Sequence, residues 1–234
     1  MKVSIILPTY NEAGNIVSLV EEILMVLPSD IQPEIIVVDD DSPDNTGEIA
    51  GKTFASNPAV KILFRTEDRG LAKSIRYGIE HTRGEKIIVM DTDFTHNPAE
   101  IPRMLHVGEI YDVVSGSRFS AGGNMQDKAH YFASFVYNLV LRIILRTQVQ
   151  DNLGGFFLID REKLFSLSFD KIFFGYGDYF FRLIYLSQRQ GYTVIEIPAF
   201  YAARKSGKSK SNFLKVFFGY IWSALKFVGS SSFK

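Results

Sequence analysis

Short apolar runs alternate with amphipathic stretches along the first half of the chain. VSIIL (3–7), EIIVVDDD (34–41), VKILFR (60–65) and KIIVMD (86–91) are dominated by aliphatic residues, many of them β-branched. Runs of this length predict strands buried on both faces. Between them the pattern predicts helices over 12–27, 45–56 and 70–82. In the first, Ile16, Leu19, Val20, Ile23, Leu24 and Leu27 share one face, and Asn11 is the candidate cap. Asp44 opens the second. Strands alternating with helices predict an α/β fold, a mostly parallel sheet flanked by helices.

The second half is less regular. DVVSGSRF (112–119), GGFFLI (154–159) and TVIEIP (193–198) predict strands, the last stopped by proline. YFASFVYNLVLRIILR (131–146) and GDYFFRLIYLSQRQ (177–190) predict helices. ARKSGKSKSN (203–212) reads as a polar, basic loop, and NFLKVFFGYIWSALKFVG (212–229) as an apolar helix capped by Asn212. No repeat and no linker divides the chain, which predicts a single domain over 1–234.

Charge adds an asymmetry. The chain holds 26 basic and 26 acidic residues, but none of the acids lies beyond Glu196. Arg204, Lys205, Lys208, Lys210, Lys215, Lys226 and Lys234 follow it, so the C-terminal segment suits something anionic. There is no cysteine, which excludes disulfides and thiolate metal sites and leaves oxygen or histidine as ligands. The start, MKVSIILPTYNE, lacks the features of a signal peptide, so a cytoplasmic location is expected.

The chemistry concentrates where predicted strands end. In IIVMDTDFTHNP (87–98), Asp91 and Asp93 stand one residue apart at the end of a buried run. A polar turn produces the same letters. Two carboxylates at that spacing also suit a hard divalent cation, which in turn holds nucleotide phosphates. Pro8–Glu12, Asp39–Asp41 and Arg65–Gly70 fall at the ends of the other strands, so four polar clusters converge on one rim. No Gly-x-Gly-x-x-Gly turn follows the first strand, which argues against an ordinary dinucleotide fold.

PTYNE (8–12), VVDDDSPD (37–44), GLAKSIRYGI (70–79), MDTDFTHNP (90–98), GSRF (116–119) and GGFF (154–157) together resemble family 2 glycosyltransferases of the GT-A fold. The Arg-x-x-Gly-x-Ser-Lys element at 204–210 is similar to that of dolichol-phosphate (polyprenyl-phosphate) mannosyltransferases. The resemblance covers residues 2 to 218. It implies a nucleotide-sugar-binding half over 1–118, an acceptor half over 119–211 and an amphipathic interfacial helix over 212–234.

It further implies transfer of a hexose, mannose favoured, from a nucleotide diphosphate sugar to a polyprenyl or dolichyl phosphate, with inversion. GDP-mannose is the favoured donor and UDP-glucose the other. Asp91 and Asp93 would hold Mg²⁺ or Mn²⁺, with Asp91 also on the nucleotide sugar. Pro8, Tyr10, Glu12 and Asp39 would line the pocket for base and ribose. Asp40, Asp41 and Asp44 read first as turn architecture. Arg118, Arg204 and Lys210 are the candidates to receive the lipid phosphate.

Two alternatives stay open. One is transfer to a saccharide hydroxyl with Asp178 as base, although Asp178 is also well placed to start a helix. The other is a non-catalytic nucleotide-binding module at a membrane surface. Gly154 and His130 stand where such relatives commonly carry serine and arginine, departures that bear on the acceptor phosphate. Residues 216–225 are too short an uncharged stretch to cross a bilayer, which needs about 20 residues. Aromatics with Lys215 and Lys226 suit peripheral contact with the cytoplasmic face of a membrane, or a membrane-protein partner. The basic residues occupy one loop and one helix, which argues against nucleic acid.

Overall fold

The computed structural model describes residues 1–202 and 213–231. In chain order the elements are β1 (Lys2–Thr9), α1 (Ile16–Val26), β2 (Gln32–Asp39), α2 (Thr46–Thr53), β3 (Val60–Phe64), α3 (Leu71–Glu80) and β4 (Lys86–Val89). There follow α4 (Ile101–Val107), β5 (Val113–Ser117), β6 (Asn124–Met125), α5 (Lys128–Leu145), β7 (Phe157–Asp160), α6 (Arg161–Phe165) and α7 (Phe169–Ile172). The chain continues through α8 (Tyr179–Arg189), β8 (Val194–Pro198), β9 (Phe200–Tyr201) and α9 (Phe213–Ser231).

The main sheet is seven-stranded, in the order β3-β2-β1-β4-β7-β5-β8. All its pairs are parallel except those of β7, which runs antiparallel to both β4 and β5. Because β7 is inserted between β4 and β5, residues on both sides of 118 share one sheet. The pleat sends alternate residues to opposite faces. Val3, Ile5, Leu7, Ile35 and Val37 thus join α1, α2 and α4 in one apolar layer. Ile6, Ile36 and Val38 join α3 and α8 in the other. A third cluster lies outside the second layer, where α5 and α9 pack on Phe181 and Tyr185 of α8. Among the described residues no helix is long and apolar enough to cross a membrane.

Two local expectations are corrected, and a third is not reached. α1 begins at Ile16, not at 12, because Asn11 takes a left-handed φ of 60° and the chain makes a turn before the helix. The pattern assigned no element to 98–108, yet α4 lies there. Pro98, which opens a 3₁₀ turn just before it, and Pro102, in its first turn, hide the helix in the sequence but stand where the missing N–H costs nothing. Asn212, the expected cap of α9, lies outside the described residues.

The turn after β1 is tied to the turn after β2. Asn11 N–H donates to Ser42 Oγ at 3.0 Å, Glu12 N–H to Thr46 Oγ1 at 2.9 Å and Ala13 N–H to Asp44 Oδ2 at 3.1 Å. Asp44 Oδ1 meanwhile accepts from the Thr46 amide and hydroxyl. Asp44 and Ser42 are therefore architecture, and what they hold in place is the segment carrying Tyr10 and Glu12.

Burial works against the charge of Asp44, but the bonds from Thr46 and Ala13 outweigh it and hold the carboxyl below its ordinary 3.8. Its contribution is whole above the unfolded value and is lost as pH falls through the lower folded value. Asp44→Asn should cost stability at pH 7, and the gap to the native protein should close below about pH 4. Urea midpoints taken from pH 7 to pH 3 measure this. A gap that ignores pH would remove the charge of Asp44 from the joint.

Candidate functional site

The ends of β1, β2 and β4 open onto a cavity of about 380 Å³. The order β2-β1-β4 puts it where the chain, having built outward to β3, returns to the other side of β1. Such a switch point is where open parallel sheets bind ligands. Pro8, Tyr10 and Glu12 line the cavity from the end of β1, and Asp91 and Asp93 from the end of β4. Arg69, Gly70 and Ser74 come from the start of α3, and Tyr176 from the loop before α8.

On β2 the acid facing the cavity is Asp40, not Asp39. Asp39 is 1% exposed, and its oxygens accept from Thr9 Oγ1, Ser42 Oγ and Ser42 N–H. It fastens the strand end to the following turn. One residue on, the pleat points the other way, and Asp40 reaches the cavity wall. There Arg65 Nη1 donates to it at 2.6 Å and Gly70 N–H at 2.7 Å. The sequence marks Asp40 first as a turn residue; period-two alternation at the strand end is the signal that it faces the cavity.

Asp91 and Asp93 both line the cavity, on a tightly built turn. Asp93 Oδ1 accepts from the Thr95 amide at 3.0 Å and the Thr95 hydroxyl at 2.6 Å. Phe94, between them, is buried with a left-handed φ of 62°. A bulky residue there costs energy that the surrounding structure must offset, a frequent mark of functional turns.

His96, absent from the sequence candidates, closes the turn. Its Nδ1 accepts the Asp91 N–H at 2.9 Å, which leaves Nε2–H to donate to the Gly154 carbonyl at 3.2 Å. The ring is 1% exposed, stacked on Phe156 and edge-on to Tyr201. The only hint in the sequence was a histidine inside MDTDFTHNP.

Among the described residues no group of three or more His, Asp or Glu forms a ready cation cage. The donors on the cavity are two carboxylates in one turn. That set fits Mg²⁺ or Mn²⁺, hard ions that bind through one or two carboxylates and fill the remaining positions with water and substrate phosphate.

Arg118 is not an exposed receiver of phosphate. It is 7% exposed, and its Nε and Nη2 donate to Asp151 at 2.8 and 2.7 Å in a fork-to-fork pair. Its ring neighbours are Phe119 and Tyr201. Burial opposes the guanidinium charge, but Asp151 outweighs it and the pKa ends above its ordinary value. Burial also pushes the Tyr201 phenol well up, with Asp151 and Asp91 adding to it and Arg118 opposing.

Asp178 is equally committed. It accepts from Arg182 Nη1 at 2.5 Å, Ser223 Oγ at 2.9 Å and the Tyr176 amide at 2.9 Å, and its side chain makes no capping bond to α8. Arg204 and Lys210 lie outside the described residues.

A mostly parallel sheet covered on both faces, with an acidic rim at its strand ends, is the Rossmann-like GT-A architecture. The family described as Glycosyl transferase family 2 matches residues 4–166, and the chain belongs to it, so its class is that of a glycosyltransferase enzyme. The chain is 32% identical over 216 residues to a "Dolichol-phosphate mannosyltransferase" of Pyrococcus furiosus. That match covers 90% of this chain and 59% of the relative, so the chain spans less than two thirds of that protein. It is 32% identical over 218 residues to an "Undecaprenyl-phosphate mannosyltransferase" of Micrococcus luteus, covering 90% of this chain and 87% of that one. Among solved structures, glucosyl-3-phosphoglycerate synthase of Mycobacterium tuberculosis in complex with Mn²⁺, UDP and glucosyl-3-phosphoglycerate shares the fold at a TM-score of 0.70 and 19% identity. The overlap covers 98% of this chain and 79% of that one.

Asp151→Ala should cost about 3–5 kcal/mol of stability by leaving a buried guanidinium unpaired. Arg118→Met with Asp151→Leu should recover most of it. Urea unfolding at pH 7 measures both. An unchanged midpoint in Asp151→Ala would return Arg118 to the pool of available cations.

Proposed function

We propose that the protein transfers a hexose, mannose in first place, from a nucleotide diphosphate sugar to a polyprenyl phosphate. The observation that carries this is the shared cavity: Tyr10, Glu12 and Asp40 on one set of strand ends, Asp91 and Asp93 on the next. The names of the two mannosyltransferase relatives support the lipid phosphate and the mannose. GDP-mannose is the first donor to test and UDP-glucose the second.

In this reading Asp40 and Glu12 accept hydrogen bonds from base or ribose, and Tyr10, 39% exposed, offers a ring face. Asp91 and Asp93 hold Mg²⁺ or Mn²⁺, which when bound supplies neutralisation of the leaving diphosphate. His96 and Thr95 keep the two carboxylates on one turn. An acceptor phosphate oxygen forms a bond to the anomeric carbon as the bond to the diphosphate oxygen breaks on the opposite face. Configuration inverts and a nucleoside diphosphate leaves.

A phosphate monoester has a second pKa of about 6, so its oxygen is already ionised at neutral pH. No proton has to be removed, and no general base is required. That agrees with Asp178, whose carboxylate is occupied by Arg182, Ser223 and the Tyr176 amide. With Arg118 paired, cations for the acceptor come from Arg69, which lines the cavity, and from Arg204 and Lys210 by resemblance.

A peripheral membrane contact belongs to the same reading. Phe132, Phe135, Val136, Leu139 and Ile143 form an exposed apolar stripe on α5, and Phe218, Trp222 and Leu225 another on α9. The buried sides of both helices meet on α8, so the two stripes face away from it. Neither helix carries an acid, and Lys128, Arg142 and Lys226 suit anionic headgroups.

Labelled GDP-mannose or UDP-glucose, incubated with Mn²⁺ or Mg²⁺ and a short-chain polyprenyl phosphate, should put label into the lipid phase. Asp93→Ala should lower that rate by about 100-fold or more. Asp178→Asn should keep kcat within a few-fold, whereas loss of a base costs about 10²–10⁴. Label reaching only soluble saccharide, with kcat collapsing in Asp178→Asn, would replace the lipid acceptor by a hydroxyl. Trp222, the sole tryptophan, should shift its emission to the blue with vesicles containing phosphatidylglycerol and not with phosphatidylcholine alone. No shift with either would remove α9 from the contact.

A further inference from the structure

The loop before α8 reads Gly175-Tyr176-Gly177-Asp178, and its Tyr176 lines the cavity. The hydrogen bonds that fix this loop come from two helices. From α8, Arg182 is fully buried, donates Nε to the Ile172 carbonyl at 2.9 Å and Nη2 to the Phe174 carbonyl, and lies 3.7 Å over the Phe174 ring. Its Nη1 donates to Asp178 Oδ2, while Asp178 Oδ1 accepts the Tyr176 amide. From α9, the Ser223 hydroxyl donates to Asp178 Oδ2 at 2.9 Å, and the Tyr220 hydroxyl accepts the Gly177 amide at 2.8 Å. The bonds from α9 thus fall on the two residues after Tyr176.

Both glycines are explained by these bonds. A Cβ on Gly177 would come within 2.9 Å of the Tyr220 hydroxyl. A Cβ on Gly175 would come within 2.6 Å of Asp178 Oδ1, and Gly175 has a left-handed φ of 75°. The Tyr220 ring is held in turn by Tyr137 of α5 and Phe181 of α8. Neither Tyr220 nor Ser223 lines the cavity, so any effect on a ligand there passes through the loop.

We infer that α9 is a positioning element for the donor: Tyr220 and Ser223, acting through Gly177 and Asp178, set Tyr176 against the bound nucleotide sugar. This rests on the cavity being the nucleotide-sugar site. Because the other face of α9 carries the exposed stripe, whatever seats α9 also completes the donor wall. Coupling of this kind is reciprocal in binding free energy.

The test is a thermodynamic cycle on the whole chain. GDP and UDP are titrated with Mn²⁺ by calorimetry into the native protein, Tyr220→Phe/Ser223→Ala, Tyr176→Ala and the combination of all three. The hydroxyl deletions keep the packing of the ring, and Tyr176 is about half exposed, so folding survives. Each of the first two variants should weaken nucleotide binding by about tenfold, the size of one or two lost hydrogen bonds. The triple variant should be no weaker than either, since all act through one side chain. Tyr192→Phe deletes a hydroxyl bonded to Ser166 and to the Lys163 carbonyl, outside the cavity. It should lower Tm without changing Kd. Native binding with an unchanged Kd in Tyr220→Phe/Ser223→Ala, or additive losses in the triple variant, would overturn the positioning role alone. Absence of GDP and UDP binding in the native protein would overturn the donor reading and this inference with it.

Discussion

The central strands β1, β2 and β4 are buried on both faces, so their polar side chains are confined almost entirely to the places where the strands end. Desolvating an unpaired carboxylate inside either apolar layer would be prohibitive. Acids therefore collect at one rim of the sheet, and the parallel direction of the strands makes it the same rim for all three. The cavity, the acid pair at Asp91 and Asp93 and the tie between the first two turns follow from that confinement.

Four acids near this rim serve the fold. Asp39 fastens a strand end, Asp44 joins two turns, Asp151 neutralises Arg118 and Asp178 anchors a loop to α8 and α9. Each has its oxygens on donors a short distance away, which keeps it still but spends it. Those that line the cavity, Glu12, Asp40, Asp91 and Asp93, are held by neighbours while still bordering open space. The distinction matters for mechanism. On the proposed reading, transfer to an already ionised phosphate asks the protein for placement and charge neutralisation rather than for a base.

The outer helices extend the same logic. α5 and α9 pack outside the second apolar layer, yet through Tyr220 and Ser223 α9 meets the loop that bears Tyr176. A helix with one face in a core cluster and the other exposed and apolar thus reaches the loop on the cavity wall.

Local periodicity was enough to determine the order of strands and helices through β4, the parallel core and the rim where the polar clusters gather, because side-chain alternation and helical spacing are properties of neighbouring residues. The motifs PTYNE and MDTDFTHNP were equally legible, since their residues act from one turn. What tertiary structure decided was the role of each charged residue. Asp40 rather than Asp39 faces the cavity because the pleat, tied down by Thr9 and Ser42, sets which of two adjacent acids turns outward. Arg118 is buried and paired because Asp151, far along the chain, arrives beside it. Asp178 takes donors from Arg182 of α8 and Ser223 of α9, and His96 is held where Gly154 and Phe156 complete its pocket. A charge's role depends on what is packed against it, and those partners come from segments that only the folded chain brings together.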